Sequence, residues 1–231
     1  IRNNNRTDLA VQIIDKSLQR VMTLVIYNRT LLVHDEFDAL SMDQLALEWD
    51  RAYSAYQGII GTMGRKNKVL NADRSNVETG SDPDLDGDMT AAFIRGRKLI
   101  TDGGNMGAMA VEKDIIVLSA MRGFLIGVLR EVEGIVGNRD REVATAEEKQ
   151  VEGEFFYAIV EGFIAKYNSS GSASIAAQMV GSLGDVVADD VVSDISRGLL
   201  GQANENLTAN SQAVGSEREQ AMMTAEQISL Y

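Results

Sequence analysis

Cysteine is absent from the 231 residues, which removes disulfides, thiolate zinc sites, iron–sulfur ligation and cysteine nucleophiles together. No compartment follows from this, because an oxidising environment permits disulfides without requiring them. Proline occurs once, at Pro83, so almost nothing in the chain interrupts a helical hydrogen-bond ladder. Basic runs are missing too: the formal net charge is −12 and the pI about 4.6. Phosphate backbones and anionic membrane surfaces are held by clustered Lys and Arg, so this balance argues against a nucleic-acid partner and against an anionic bilayer. Long apolar runs are also lacking. The stretch 21–33 is broken by Asn28 and Arg29, and 115–129 by Arg122, so neither supplies the roughly 18 uninterrupted apolar residues of a membrane span. The first residues, Ile1-Arg2-Asn3-Asn4-Asn5, carry neither Met nor a signal-peptide pattern, as expected of a processed chain or part of a longer one.

What is there reads as helix almost everywhere, because apolar residues recur at three and four positions and strict alternation is rare. Leu118, Met121, Leu125, Val128, Val132 and Ile135 fall on one stripe of a helix, a core or interface face. A second stripe, Val11, Ile14, Leu18, Val21, Val25, Asn28 and Leu32, marks a long first helix capped by Thr7 and Asp8. Capping boxes predict further starts: Ser41 with Gln44 for a helix to about Gly61, and Thr145 with Glu148 for one to about Tyr167. Asp88 is expected to cap a helix ended by Gly103-Gly104, followed by a long helix over 106–136 and two shorter ones over 173–182 and 188–200. The fold expected is all-α, a multi-helix up-down bundle over 1–201 with one long irregular loop around 64–87. Residues 202–231 read as a polar tail, with a partner-dependent helix near 217–228.

Few residue groups carry chemistry. Asp82, Asp84, Asp86 and Asp88, with Gly87, follow the opening of an EF-hand loop, where alternate carboxylates converge on a hard cation. The twelfth position is Phe93 instead of a bidentate Glu, leaving either a weak Ca²⁺ site or a solvated turn leading into the Asp88 cap. His34, the only histidine, stands with Asp35, Glu36 and Asp38. His34 and Glu36 are candidate mixed nitrogen and oxygen metal ligands, or His34 simply complements a helix C-terminus. A lone histidine excludes the paired Glu-x-x-His motifs of a di-iron bundle. Glu154 and Glu161 flank an apolar helical run, and at least one of them is expected to be partly buried, either as a general acid or, more in keeping with such sites, paired with Arg95, Arg97 or Arg122. With no Gly-x-Ser-x-Gly, Walker or dinucleotide pattern, the chain reads as non-enzymatic and without a resident cofactor.

Five phrases, "LVHDEFDAL" at 32–40, "EWDRAYSAYQG" at 48–58, "AAFIRGRKLI" at 91–100, "SAMRGFLIGVLREVEG" at 119–134 and "EGEFFYAIVEGF" at 152–163, occur in this order. The order resembles the secreted, imelysin-related helical-bundle proteins of bacteria and marine microalgae over about residues 30–200, most strongly at Trp49-Asp50 with Tyr53 and at 93–98. The resemblance implies an all-α bundle outside the cytoplasm, no established enzymatic activity and, for bacterial members, a link to iron acquisition. It also implies further helices upstream of this chain. His34 corresponds to the histidine of that family's Gly-x-His-x-x-Glu motif, but Leu32 and Phe37 stand where the motif has Gly and Glu, with Glu36 adjacent.

Four Asn-x-Ser/Thr sequons, at Asn5, Asn28, Asn168 and Asn206, fit either a secreted or cell-surface glycoprotein, if the source is a eukaryote, or an unglycosylated chain in which all four are ordinary cap, turn and core asparagines. In the glycoprotein reading, glycans are expected at Asn168, Asn5 and Asn206, and not at Asn28, whose register with Val21, Val25 and Leu32 places it in the core unless the first helix turns that face outward. Two functions compete: a surface or structural assembly domain that packs against copies of itself or other proteins, and an extracytoplasmic binding domain for a metal or small ligand, linked to iron or calcium.

Overall fold

The computed structural model describes residues 2–72 and 84–209. Among these the chain is all-α, with no strand: α1 (Arg2–Asp35), α2 (Met42–Ala72), α3 (Leu85–Asp102), α4 (Met106–Asn138), α5 (Val143–Tyr167), α6 (Ser169–Val180), a 3₁₀ turn (Leu183–Asp185) and α7 (Ala188–Ala209). They divide into two compact units. One holds the described residues up to Lys16 and from Leu125 to Ala209; the other holds those between Ser17 and Phe124, so α1 and α4 each contribute to both.

In the unit Ser17–Phe124, α3 packs on α2 around an aromatic group. Trp49 is 1% exposed, and its indole N–H donates to the Phe93 carbonyl at 2.8 Å. Phe93 meets Trp49 edge-on and Tyr56 face-on. Gly96 makes this possible, since a Cβ there would stand 2.1 Å from Trp49 Cζ2. The Tyr56 hydroxyl donates to the Asp86 carbonyl at 2.8 Å, tying α2 to the first turn of α3. In the other unit, α5 packs against α6 and α7. There the buried Tyr157 hydroxyl donates to the Ser172 carbonyl at 2.9 Å, and Arg139 donates to the Val186 carbonyl at 2.9 Å.

Local signals fared unevenly. The Ser41 box is formed as expected, the Ser41 N–H donating to Gln44 Oε1 at 3.0 Å and the Gln44 N–H to Ser41 Oγ at 3.3 Å. The stop beyond Gly103-Gly104 is also formed, with Gly103 left-handed at φ 71° and the Gly104 N–H bonded to the Leu99 carbonyl. Thr7 caps nothing, because α1 already runs from Arg2. Nor does Thr145: α5 starts at Val143 behind Glu142. Asp88 lies inside the first turn of α3, and the cap is Asp84.

Of the irregular stretch expected over 64–87, residues 64–72 and 85–87 are helical. α2 continues through Gly58, Gly61 and Gly64 to Ala72, and α3 begins at Leu85. A helical glycine costs only about 1 kcal/mol, too little to stop a helix supported by packing. Residues 73–83 lie outside the described residues, as do 210–231 with the helix expected near 217–228. α7 runs through the expected border at 201 as far as Ala209.

Candidate functional site

The first helix presents the feature least expected from its sequence. Its buried stripe is Gln19, Thr23, Ile26, Thr30 and Val33. The two threonines satisfy their hydroxyls within the helix, Thr23 donating to the Gln19 carbonyl at 2.8 Å and Thr30 to that of Ile26 at 2.9 Å, the back-bonding that lets Thr enter a core. The more apolar stripe faces out: Val11 is 58% exposed, Ile14 61%, Leu18 54%, Val21 53% and the flanking Leu24 46%. Asn28 is exposed on that stripe, between the half-buried Val25 and Leu32. The core assignment of this stripe, and with it the burial expected of Asn28, is corrected.

A groove between α2 and α3 forms a cavity of about 580 Å³, floored by Trp49, Tyr53 and Phe93 and rimmed by Ile94, Arg97 and Lys98. Arg97 Nε donates to Asp50 at 3.0 Å and its Nη1 to Thr101 at 3.1 Å, while Lys98 is paired with Asp102. The rim is therefore charged but balanced. Arg95, nearby on α3, grips Glu112 of α4 bidentately at 2.8–3.0 Å.

A third cluster is buried. Glu131 of α4 and Glu152 of α5 share Lys149, whose Nζ lies 3.0 Å from Glu131 Oε2 and 2.9 Å from Glu152 Oε2, and Lys16 Nζ lies 3.7 Å from Glu152. Burial and the neighbouring Glu152 carboxylate push Glu131 above its ordinary value. Burial also pushes Glu152 up, but the Lys149 hydrogen bond and the remaining bonds and charges outweigh it and hold Glu152 down. Two ammonium groups face Glu152 and one faces Glu131, which is why the pair splits this way. Glu154 and Glu161, the carboxylates singled out from sequence, are both exposed. The buried ones were missed because Glu131 and Glu152 sit beside apolar stripes without interrupting them; the weak signal was Lys149 one turn before Glu152.

The candidate metal ligands do not converge. Asp84 accepts from the Gly87 N–H at 3.2 Å as the α3 cap, and Asp86 and Asp88 occupy the first turn. Gly87, which resembles the EF-hand turn glycine, instead makes room for this cap: a Cβ there would lie 2.0 Å from Asp84 Oδ2. Burial and Asp84 raise the Asp88 carboxyl against Arg122 and Arg95. Asp82 lies outside the described residues. His34 Nδ1 is 2.7 Å from Asp35 Oδ1 at the end of α1, and Glu36 is exposed just beyond. Among the described residues, no three His, Cys, Asp or Glu side chains are placed to hold a metal ion, and no helix is long and apolar enough to cross a membrane.

Of the sequons, Asn5 and Asn206 fall within α1 and α7. Asn168 caps α6: its Oδ1 accepts from the Gly171 N–H at 3.1 Å and its Nδ2, the atom a glycan would occupy, donates to the Asp194 carbonyl at 2.9 Å. The structure thus ties up the Asn168 amide and leaves Asn28 exposed, the reverse of their expected accessibility.

These features define an all-α protein of two helical units with an apolar outer face on its first helix. No protein-family model, curated protein or solved structure matches the chain.

Proposed function

We propose that this chain is a non-enzymatic assembly domain, secreted or held at a cell surface, which docks through the outer face of α1. The observation that carries this reading is the outward stripe of Val11, Ile14, Leu18 and Val21, each more than half exposed, while the same helix buries two threonines and a glutamine. A contiguous apolar strip left in water is a mark of an interaction surface. The charged clusters support a structural role, being closed on themselves as ion pairs. Extracytoplasmic placement rests on the resemblance to imelysin-related proteins and on the sequons at Asn5 and Asn206.

Sedimentation tests the assembly reading. The wild-type chain is expected to run heavier than its 25.1 kDa monomer, and the double variant Leu18→Glu/Val21→Glu as a monomer that melts where the wild-type chain does once diluted to a monomer. A wild-type chain that stays monomeric at the highest concentration it tolerates overturns the reading.

The groove over Trp49, Tyr53 and Phe93 favours a second reading, a site for a small flat ligand. Trp49 is the only tryptophan, so quenching of its emission by a small aromatic carboxylate, lost in Ile94→Glu, would support that reading; no quenching would remove it.

A further inference from the structure

We propose that the outer face of α1 is one half of a parallel, two-stranded seam whose other half is α1 of a second copy of this chain. This inference rests on the assembly reading and names its partner.

The spacing argues for a helix as the occupant. Val11, Ile14, Leu18, Val21, Val25, Asn28 and Leu32 alternate steps of three and four. That is a repeat of about 3.5 residues, which keeps one seam facing a partner helix along a left-handed supercoil. The helix had a choice of face, and the one it turns inward is the poorer in apolar side chains: Gln19, Thr23, Ile26, Thr30 and Val33. Burying the richer face inside the chain would remove more apolar surface from water, so its exposure makes sense when a partner covers it.

The area suits a second copy. Val11, Ile14, Leu18, Val21 and Leu24, each about half exposed, offer on the order of 500 Å² per copy, so a symmetric pair buries roughly 1,000 Å², about the least that a specific interface needs. Two copies of one stripe form an isologous contact, which closes at a dimer.

Asn28 sets the direction. It is the one polar residue of the stripe. In a parallel, in-register pair it stands opposite its own copy, where the two amides can bond to each other and satisfy their buried polar groups. In the antiparallel pairing that sets Leu18 against Val21 of the other copy, Asn28 would face Val11, leaving a buried amide without a partner.

The chain contains no cysteine, so a disulfide in a single-cysteine variant must join two copies. Val21→Cys places the thiol in the seam. Arg20→Cys, one residue away and exposed, places it outside. Parallel pairing in register brings the two residue-21 Cα atoms within the range of about 4.4–6.8 Å that a disulfide requires. Under mild air oxidation, Val21→Cys is expected to convert mostly to a covalent dimer on a non-reducing gel, and Arg20→Cys at least tenfold more slowly. A wild-type chain that associates while Val21→Cys cross-links no faster than Arg20→Cys overturns the seam and leaves the assembly reading standing. Association into three or more copies, or a glycan at Asn28 in native material, overturns it as well. A strictly monomeric wild-type chain overturns both.

Discussion

Two stripes of the same spacing meet opposite fates in this molecule. On α4, Met121, Leu125, Val128, Val132 and Ile135 are buried and Leu118 is half-buried, whereas on α1 the equivalent stripe lies in the open from Val11 to Leu24. The flanks account for the difference. The α4 stripe is bordered by Ile116, Ala120, Phe124, Ile126 and Leu129, all buried, and a helix apolar on most sides is buried whichever way it turns. α1 carries a second stripe of mixed character, so it can be packed on either of two faces. A periodic pattern thus locates the faces of a helix but selects among them only where the alternatives are clearly polar.

The comparison is broken most directly by truncating one residue of each stripe. Leu125→Ala, at a site 1% exposed, is expected to cost about 2–5 kcal/mol in chemical denaturation. Leu18→Ala is expected to change the stability of the dilute chain by no more than about 0.5 kcal/mol. Equal losses would mean that the α1 stripe is core after all.

The α2–α3 pair sharpens it, because a buried face arises there from one aromatic and one glycine instead of a heptad. Gly96→Ala would drive a Cβ into Trp49, so a loss of about 1–3 kcal/mol and a red shift in tryptophan emission are expected. An unshifted spectrum at wild-type stability would mean that Trp49 does not rely on the missing side chain.

The smallest effect concerns the charge that α4 buries beside its stripe. Glu131 is raised above its ordinary value of 4.5 in the folded chain. Its contribution to stability is therefore fully present below 4.5 and is lost as pH rises through the folded value. Glu152 is lowered, so its contribution is present above its ordinary value and is lost as pH falls through the folded one. Glu131→Gln is expected to melt at neutral pH no lower than wild type and to lose the decline between mildly acidic and neutral pH; Glu152→Gln should melt lower at neutral pH. If thermal melts across that range show the two variants behaving alike, the assignment of the raised and lowered partners fails.

Sequence by itself determined the helical class and several element ends. One proline, recurrent apolar spacing, the Ser41 box and Gly103-Gly104 act within a few residues of the chain, where short-range sterics and hydrogen bonding decide. Thr145 and Asp88 misled because a cap and a first-turn residue draw on the same few residue types. What only the tertiary structure decided is the outward turn of the α1 stripe, the pairing of Glu131 with Glu152 through Lys149, the seat of Trp49 on Gly96 and the capture of the Asn168 amide by Asp194. Each depends on which helices become neighbours, and neighbours are chosen by packing between residues far apart in sequence, a choice that a periodic pattern along one helix does not carry.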